Sequence, residues 1–221
     1  MNIGTVGRVT TPVKARRYDS PVRARRAERT RRAVLRAAHD LFTTRGYAAT
    51  SVADVARRAK VSVDTVYAAV GTKPELLIAV HDMVLGSADQ PVPAEQREYV
   101  RRVREAPTAQ EKVDVYADAL ARVLPRTVPL VLALREAGRT EAGCRSAAEA
   151  LDERRAGNML LFAADLRATG QVRADLTDDE VAHLVWSMNS PDWFAVFTSR
   201  GRTPEDYART VADVWRRTLL G

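Results

Sequence analysis

The 221-residue chain is 46% hydrophobic and 29% charged, which is enough apolar content for a full core and excludes an intrinsically disordered protein. Its apolar runs are far shorter than a membrane span, and no signal-peptide pattern precedes the first predicted helix, so we expect a cytoplasmic protein. The single cysteine, Cys144, excludes an internal disulfide framework, and we interpret it as a buried, inert thiol. The three histidines are scattered and form no metal-binding cluster.

The net charge of +7 is unevenly distributed along the chain. Residues 1–46 hold twelve Lys or Arg against three Asp or Glu, a net charge of +9, so the other 175 residues carry a net charge of −2. A basic end on a near-neutral body is typical of a protein that presents one end to a polyanion. A solvated basic tail would give the same balance. Residues 1–24 lack periodicity, and we predict a disordered basic arm that either lies along nucleic acid or is a passive tail.

The first predicted helix runs from about 25 to 45 and ends at Gly46. Its arginines occupy the faces opposite to an apolar stripe. The stripe consists of Val34, Leu35, Ala38, Leu41 and Phe42.

Two short helices separated by a tight turn follow at 51–70. Ser51 and Asp54 have the spacing of a capping box, and Ser62 can cap the second of these helices. Its apolar spacing predicts an inward face of Val63, Val66 and Val70. The pattern is that of a helix-turn-helix, whose second helix can enter a DNA major groove. A small three-helix unit that binds nothing shows the same pattern.

A fourth helix is predicted from Thr72 to about residue 85, with Gly71 ending the previous helix and Glu75 completing another capping box. Beyond a break at 89–93, helical periodicity continues throughout, at about 94–105, 109–123, 126–137, 141–168, 178–198 and 204–219. The sequence therefore predicts an all-α protein with an N-terminal three-helix helix-turn-helix domain at 25–72. A larger helical regulatory domain, for ligand binding and dimerisation, is predicted at 73–221.

The run Thr-Val-Tyr-Ala-Ala-Val-Gly-Thr-Lys-Pro-Glu-Leu-Leu at 65–77, preceded by Arg-Gly-Tyr-Ala-Ala-Thr-Ser at 45–51, resembles the DNA-binding domain of the tetracycline-repressor (TetR) family. The resemblance implies a homodimeric transcriptional regulator that binds a palindromic operator. Its usual mode is repression, released when a small-molecule inducer enters the body and shifts the fourth helix. One departure is clear: many members have Tyr-x-His-Phe where this chain has Tyr67-Ala68-Ala69-Val70, so the operator cannot be copied from relatives.

The resemblance also implies roles for individual residues on DNA. Thr50 and Ser51 are expected to donate to a phosphate, Thr65 and Tyr67 to touch the backbone or base edges, and Lys73 to bind a phosphate. Val63 is placed here among the outward positions that set sequence choice. The predicted DNA-binding residues are Thr50, Ser51, Ser62, Val63, Asp64, Thr65, Tyr67, Ala68 and Lys73. Asp64 can accept from cytosine N4, or serve only as favourable charge in the first turn of its helix.

The body is expected to contain the inducer pocket and the dimer interface. The candidate pocket residues are Met83, Tyr116, Leu120, Leu134, Asn158, Met159, Phe162, Trp186 and Asn189. Core packing is the better explanation for most of them, but Asn158 and Asn189 are amides within apolar stripes and must find a partner. His81 and Asp82 could take part, although we interpret them as a surface pair. The predicted dimerisation residues, in the last two helices, are Val181, Leu184, Val185, Met188, Tyr207, Val211, Val214 and Trp215.

Three other classes of function share parts of this pattern. Nothing resembles a P-loop, a dinucleotide-binding fingerprint, a zinc-ligand cluster or a nucleophile elbow, so we expect neither an enzyme nor a cofactor. A ligand-independent architectural DNA-binding protein needs no long neutral body. A transcriptional activator has the same fold and is not separated from a repressor by sequence.

Overall fold

The computed structural model describes residues 21–221, and over this part of the chain it contains ten α-helices and no strand. The all-α prediction is therefore confirmed. The helices are α1 Pro21–Arg45, α2 Val52–Ala59, α3 Val63–Ala69, α4 Lys73–Leu85, α5 Glu98–Glu105, α6 Ala109–Ala137, α7 Ala142–Arg167, α8 Asp178–Met188, α9 Pro191–Thr198 and α10 Pro204–Leu219.

The first helix begins earlier than the sequence predicted. Residues 21–24, assigned to a disordered arm, form the first turn of α1. Pro21 opens the helix, where its fixed φ suits the first turn and its missing amide costs nothing. The rest of the predicted arm, residues 1–20, lies outside the described residues.

The predicted break at Pro125 does not occur, because α6 runs unbroken from Ala109 to Ala137 with Pro125 and Pro129 inside it. Both prolines are exposed, while Leu124 and Val128 on the inner face are buried. The hydrogen bonds that proline cannot make are therefore missing only on the solvent side, where water can satisfy the freed carbonyls. Apolar burial on the other side keeps the helix continuous.

The single helix predicted at 178–198 is in fact two helices. α8 ends at Met188, and Ser190 caps α9 by accepting a hydrogen bond from the Trp193 amide at 3.1 Å. Pro191 follows at the first helical position. A serine followed by proline is an ordinary helix-start signal, so Ser190 and Pro191 already indicate this break in the sequence.

Two hydrophobic clusters organise the molecule. One lies within the body and includes Trp215 and Tyr207, both fully buried. The other, which we call the head cluster, unites α1–α4 with four residues of α6 and α7, namely Leu130, Leu134, Cys144 and Ala148. Since α4 packs against α1 as well as α6 and α7, it belongs physically to both units. Within residues 21–221, no helix is long and apolar enough to cross a bilayer.

Candidate functional site

The third helix is held at its start by its own cap. The Ser62 hydroxyl oxygen accepts a hydrogen bond from the Thr65 amide at 3.1 Å, and the two hydroxyls lie 2.7 Å apart. The predicted cap is therefore confirmed. The buried Val66 anchors the inner face of α3.

The outer face of α3 is open to solvent. Tyr67 is 50% exposed and Val63 is 38% exposed, so the assignment of Val63 to the inward face is wrong and its placement among the outward residues fits the structure. Asp64 and Ala68 are exposed beside them. Within residues 21–221 these four side chains remain exposed, which leaves the face open to a groove.

Arg31 of α1 secures the other end of α3. Its guanidinium donates a hydrogen bond to the carbonyl oxygen of Ala69, the last residue of α3. That carbonyl is one of the terminal acceptors that a helix leaves without an internal partner. Sequence reasoning missed this contact, because the two residues are 38 positions apart and no local pattern joins them.

Lys73 lies on an aromatic ring that is itself pinned to the body. Its Nζ is 4.0 Å from the centroid of the Tyr47 ring, within cation–π range. The Tyr47 hydroxyl is 3.1 Å from the Sγ of Cys144 in α7, and burial raises the pKa values of both groups. Gly71, with φ of +115°, makes the turn that brings Lys73 beside α3.

The predicted phosphate contact by Thr50 is wrong. Its side chain is 1% exposed, and its hydroxyl donates to the carbonyl of Gly46 at 2.8 Å. Ser51 is exposed, but Asp54 occupies its hydroxyl: Ser51 Oγ donates to the Asp54 carboxylate at 2.6 Å and accepts from the Asp54 amide at 3.1 Å. This is the predicted capping box, and its carboxylate stands where a phosphate was expected.

Positive charge surrounds the outer face of α3. Residues 21–72 contain eleven Lys or Arg against four Asp or Glu. Three of the four carboxylates are already paired: Glu28 with Arg32 at 2.6 Å, Asp40 with Arg58 at 3.0 Å and Asp54 with Arg57. Residues 21–29 of α1 are exposed throughout, including four arginines. The helix-turn-helix head, which consists of α1–α3, therefore presents a positive surface to which a polyanion can bind. The Asp64 carboxylate is the main negative group on this surface.

An ion pair with a largely buried carboxylate joins α4 to α7. Arg154 donates to both oxygens of the Asp82 carboxylate, at 2.6 and 2.8 Å, and His81 Nδ1 lies 3.0 Å from the same group. Burial acts to raise the pKa of Asp82, but these hydrogen bonds and charges outweigh it and the pKa is lowered. The interpretation of His81 and Asp82 as a surface pair is wrong, since their side chains are 7% and 13% exposed.

A pocket of about 130 Å³ opens in the body, between the segment at 94–104, α6 and α7. Four of the predicted ligand-binding residues line it together: Tyr116, Asn158, Met159 and Phe162. The lining residues that the sequence did not suggest are Ala94, Glu95, Tyr99, Val100, Val103, Arg104, Leu161 and Asp165. Most of them come from α5 and the short 3-10 turn Ala94–Gln96, where no ligand pattern is visible in the sequence.

A polar network backs the pocket. The Asn189 amide donates to the Tyr116 hydroxyl at 2.8 Å, and that hydroxyl donates to the sulfur of Met159 at 3.5 Å. Arg155 donates to the Asn189 side-chain oxygen at 2.7 Å and to Asp152 at 3.0 Å. The buried amide therefore finds its partners within the protein, and Asn189 supports Tyr116 from behind instead of facing a ligand.

The remaining predicted ligand-binding residues do not reach the pocket. Met83 and Leu134 belong to the head cluster. Leu120 is buried in the body cluster. Trp186 lines a separate groove between α7 and α8, together with Leu160 and His183. Their helical spacing marks core packing, which the sequence cannot tell from a ligand site.

Most of the predicted dimerisation residues are also in the core. Val181, Val185, Tyr207, Val211 and Trp215 are at most 1% exposed in the single chain, so they have no surface left for a partner and the assignment is wrong for them. Their stripes pack α8 onto α7 and α10 onto α6. Only the half-buried Leu184, Met188 and Val214 retain accessible surface.

Comparison with known proteins agrees with this geometry. Residues 34–80, which span about half of α1 and all of α2 and α3 and reach into α4, match the family profile described as "Bacterial regulatory proteins, tetR family". The helix-turn-helix region of the chain therefore matches that of TetR-family regulators. An HTH-type transcriptional repressor from Mycobacterium tuberculosis is 52% identical over 50 residues, which is 23% of this chain and 27% of that protein. The match thus spans about a quarter of the length of the curated relatives.

Solved structures extend the likeness to the TetR fold as a whole. A TetR-family transcriptional regulator from Rhodococcus sp. superimposes with a TM-score of 0.65 at 17% identity, covering 87% of this chain and 99% of that one. The SmeT–triclosan complex superimposes with a TM-score of 0.64 at 15% identity, covering 87% and 92%. At these identities the likeness carries the fold and not the ligand.

Proposed function

We propose that this protein is a sequence-specific transcriptional regulator of the TetR family that binds a palindromic operator as a homodimer and represses transcription until a small molecule enters the pocket beside Tyr116. The observation that carries the DNA-binding part is the outer face of α3. It is capped by Ser62, held at its other end by Arg31, exposed within residues 21–221 and surrounded by positive charge.

Each residue of the head has a distinct task in this proposal. Tyr67, Val63 and Ala68 meet base edges or sugar-phosphate, while Lys73 neutralises a phosphate at the start of α4. The Tyr47 ring holds the Lys73 ammonium in place without neutralising it. The α1 arginines add contacts that do not depend on sequence and weaken with salt.

The pocket and the head are joined by one helix. α7 carries Asn158 and Met159 at the pocket and, one turn earlier, Arg154 on Asp82 of α4. A ligand that prefers one position of α7 therefore biases the position of α4, and with it the distance between paired recognition helices. SmeT has been crystallised with triclosan, which supports a small-molecule effector for this fold.

A homodimer is required because a palindrome presents two identical half-sites about 34 Å apart. With the predicted stripes buried, we place the dimer contact on the outer side of α9, where Val196 is 67% exposed beside the half-buried Trp193 and Phe197. Val196→Glu should shift the protein from dimer to monomer in sedimentation experiments, whereas Val22→Glu, at an equally exposed valine of α1, should not. A Val196→Glu variant that stays dimeric would move the interface elsewhere, and a monomeric wild type would refute the dimer.

The deciding experiment is fluorescence anisotropy on DNA fragments tiled across the region flanking the protein's own gene, with unrelated competitor DNA and two salt concentrations. One fragment that contains an inverted repeat should bind tightly and resist the competitor. Lys73→Ala should weaken that binding about tenfold or more and lower the salt slope by about one. Arg200→Ala, which removes an exposed charge in the body, serves as the control.

Equal, salt-sensitive binding to every fragment would refute operator recognition and favour the architectural alternative. Repression is tested separately, with a reporter gene behind the bound fragment. Reporter output should rise when the regulator is deleted, and a fall would identify an activator.

A further inference from the structure

The chemistry of the pocket wall points to the class of effector, an inference that rests on the proposed function. We propose that the pocket takes a small organic cation, about ten non-hydrogen atoms in size, that carries its charge next to an aromatic or branched apolar group. The size follows from the volume of about 130 Å³, since one water-sized probe occupies about 10–15 Å³.

The charged groups on the wall favour a cation. Asp165 and Glu95 both line the pocket, and neither carboxylate has a hydrogen bond or an ion pair among residues 21–221. Asp165 is half-buried on α7 beside Phe162, whereas Glu95 is exposed at the rim. Arg104 is the one basic residue of the lining and is also exposed. Two carboxylates against one guanidinium leave the wall with a net negative charge.

The aromatic groups favour the same ligand. The rings of Tyr99 and Tyr116 are stacked at 6.2 Å, and Phe162 is tilted 4.8 Å from Tyr116. The hydroxyl of Tyr116 is already used by Asn189 and Met159. The Tyr116 ring is itself stacked against Tyr99 and Trp215, so the half-buried Tyr99 offers the accessible ring surface on this wall. Ring faces attract positive charge. A neutral ligand would gain the same apolar contacts but would leave Asp165 without a partner as water is displaced.

Three probes of nearly equal size test the class by calorimetry on the free protein without DNA. They are phenyltrimethylammonium, the neutral 2-phenylpropan-2-ol and the anionic 2-phenylpropanoate. We expect the cation to bind at least tenfold more tightly than the alcohol, and the anion to bind most weakly. Asp165→Asn should reduce the affinity of the cation about fivefold or more and leave that of the alcohol unchanged. Glu95→Gln should cause a smaller loss in the same direction.

Glu98→Gln is the matched control, because Glu98 is an exposed carboxylate of α5 that does not line the pocket. Circular dichroism verifies that each variant is folded. Equal binding of cation and alcohol, tighter binding of the anion, no binding of any probe, or an Asp165→Asn variant that binds the cation like wild type would each overturn the proposal. The operator experiment is independent of this one: specific DNA binding with no preference for the cation refutes only the ligand class, and the reverse result refutes only the operator.

Discussion

The head and the body are both helical, but their important side chains face opposite ways. In the head, the side chains proposed to act point outward, and they are placed by contacts at helix ends, such as Ser62 at the start of α3 and Arg31 at its end. In the body, the side chains that matter face inward, where Tyr116 is held by Asn189 and stacked 5.8 Å from Trp215. In the head, contacts at helix ends hold an exposed surface in place. In the body, side-chain packing holds the interior in place. Substitutions should separate accordingly into effects on DNA binding and effects on stability.

The largest expected effect is on stability, from Trp215→Ala in the body. Trp215 is 0% exposed and contacts Tyr116 and Phe162, so its removal should lower the free energy of unfolding by about 3–5 kcal/mol. Urea denaturation measures the loss. Trp193→Ala, at a half-buried tryptophan of α9, should cost clearly less. A loss below about 1 kcal/mol for Trp215→Ala would contradict the view of the body as a packed interior.

The corresponding substitution in the head is Tyr67→Ala. Because Tyr67 is 50% exposed, the free energy of unfolding should change by no more than about 0.5 kcal/mol. Operator affinity should fall by about 10- to 100-fold, since a contact to a base or phosphate is lost. Anisotropy and urea denaturation on the same preparation test both halves of this prediction. A variant that loses stability but keeps its operator affinity would reverse the comparison.

The ion pair between Asp82 of α4 and Arg154 of α7 should affect both the stability of the protein and its release from the operator. A double-mutant cycle with Asp82→Asn and Arg154→Gln should give a coupling of about 1–2 kcal/mol, a value reduced by the 43% exposure of Arg154. Since the pKa of Asp82 is lowered in the folded state, its ion pair stabilises the protein above the unfolded pKa near 3.8, and that stability is lost as the pH falls through the folded pKa.

The difference in stability between wild type and Asp82→Asn should therefore be full at pH 7 and shrink below about pH 4. Urea denaturation across that range measures it. If α7 transmits ligand binding to α4 through this pair, Arg154→Gln should also keep its operator affinity while losing most of its release by the effector. Normal release by the variant would show that the coupling runs through other contacts.

The smallest expected effect is at a cap. Ser62→Ala should cost about 1 kcal/mol of stability and weaken operator binding a few-fold, because the first turn of α3 frays. The control is Ser187→Ala, which removes an exposed hydroxyl that bonds only to the His183 carbonyl within α8. Equal behaviour of the two variants would mean that the cap does not hold the recognition helix.

Whether a contact could be predicted from the sequence depends on how far apart its two residues lie along the chain. The capping box at Ser51 and the cap at Ser62 join residues three apart, so both could be predicted and are confirmed. The contacts that build the sites join residues 38, 72 and 97 positions apart: Arg31 with Ala69, Asp82 with Arg154, and Tyr47 with Cys144. No periodicity encodes these pairs. Similarly, an apolar stripe predicts that a side chain is covered but not what covers it, which is why most of the predicted dimer residues are in the core.

The two prolines of α6 lie near the point where the helix passes from the body cluster to the head cluster. Residues of α6 up to Val128 belong to the body cluster, and Leu130 and Leu134 belong to the head cluster. A helix resists bending through its backbone hydrogen bonds, and at Pro125 and Pro129 two of them are missing on one side, in the turns that lead to the boundary between the two clusters. The stiffness of α6 is therefore lowest at this boundary. A rotation of the body relative to the head would bend α6 there, before it disturbs the side-chain packing on either side.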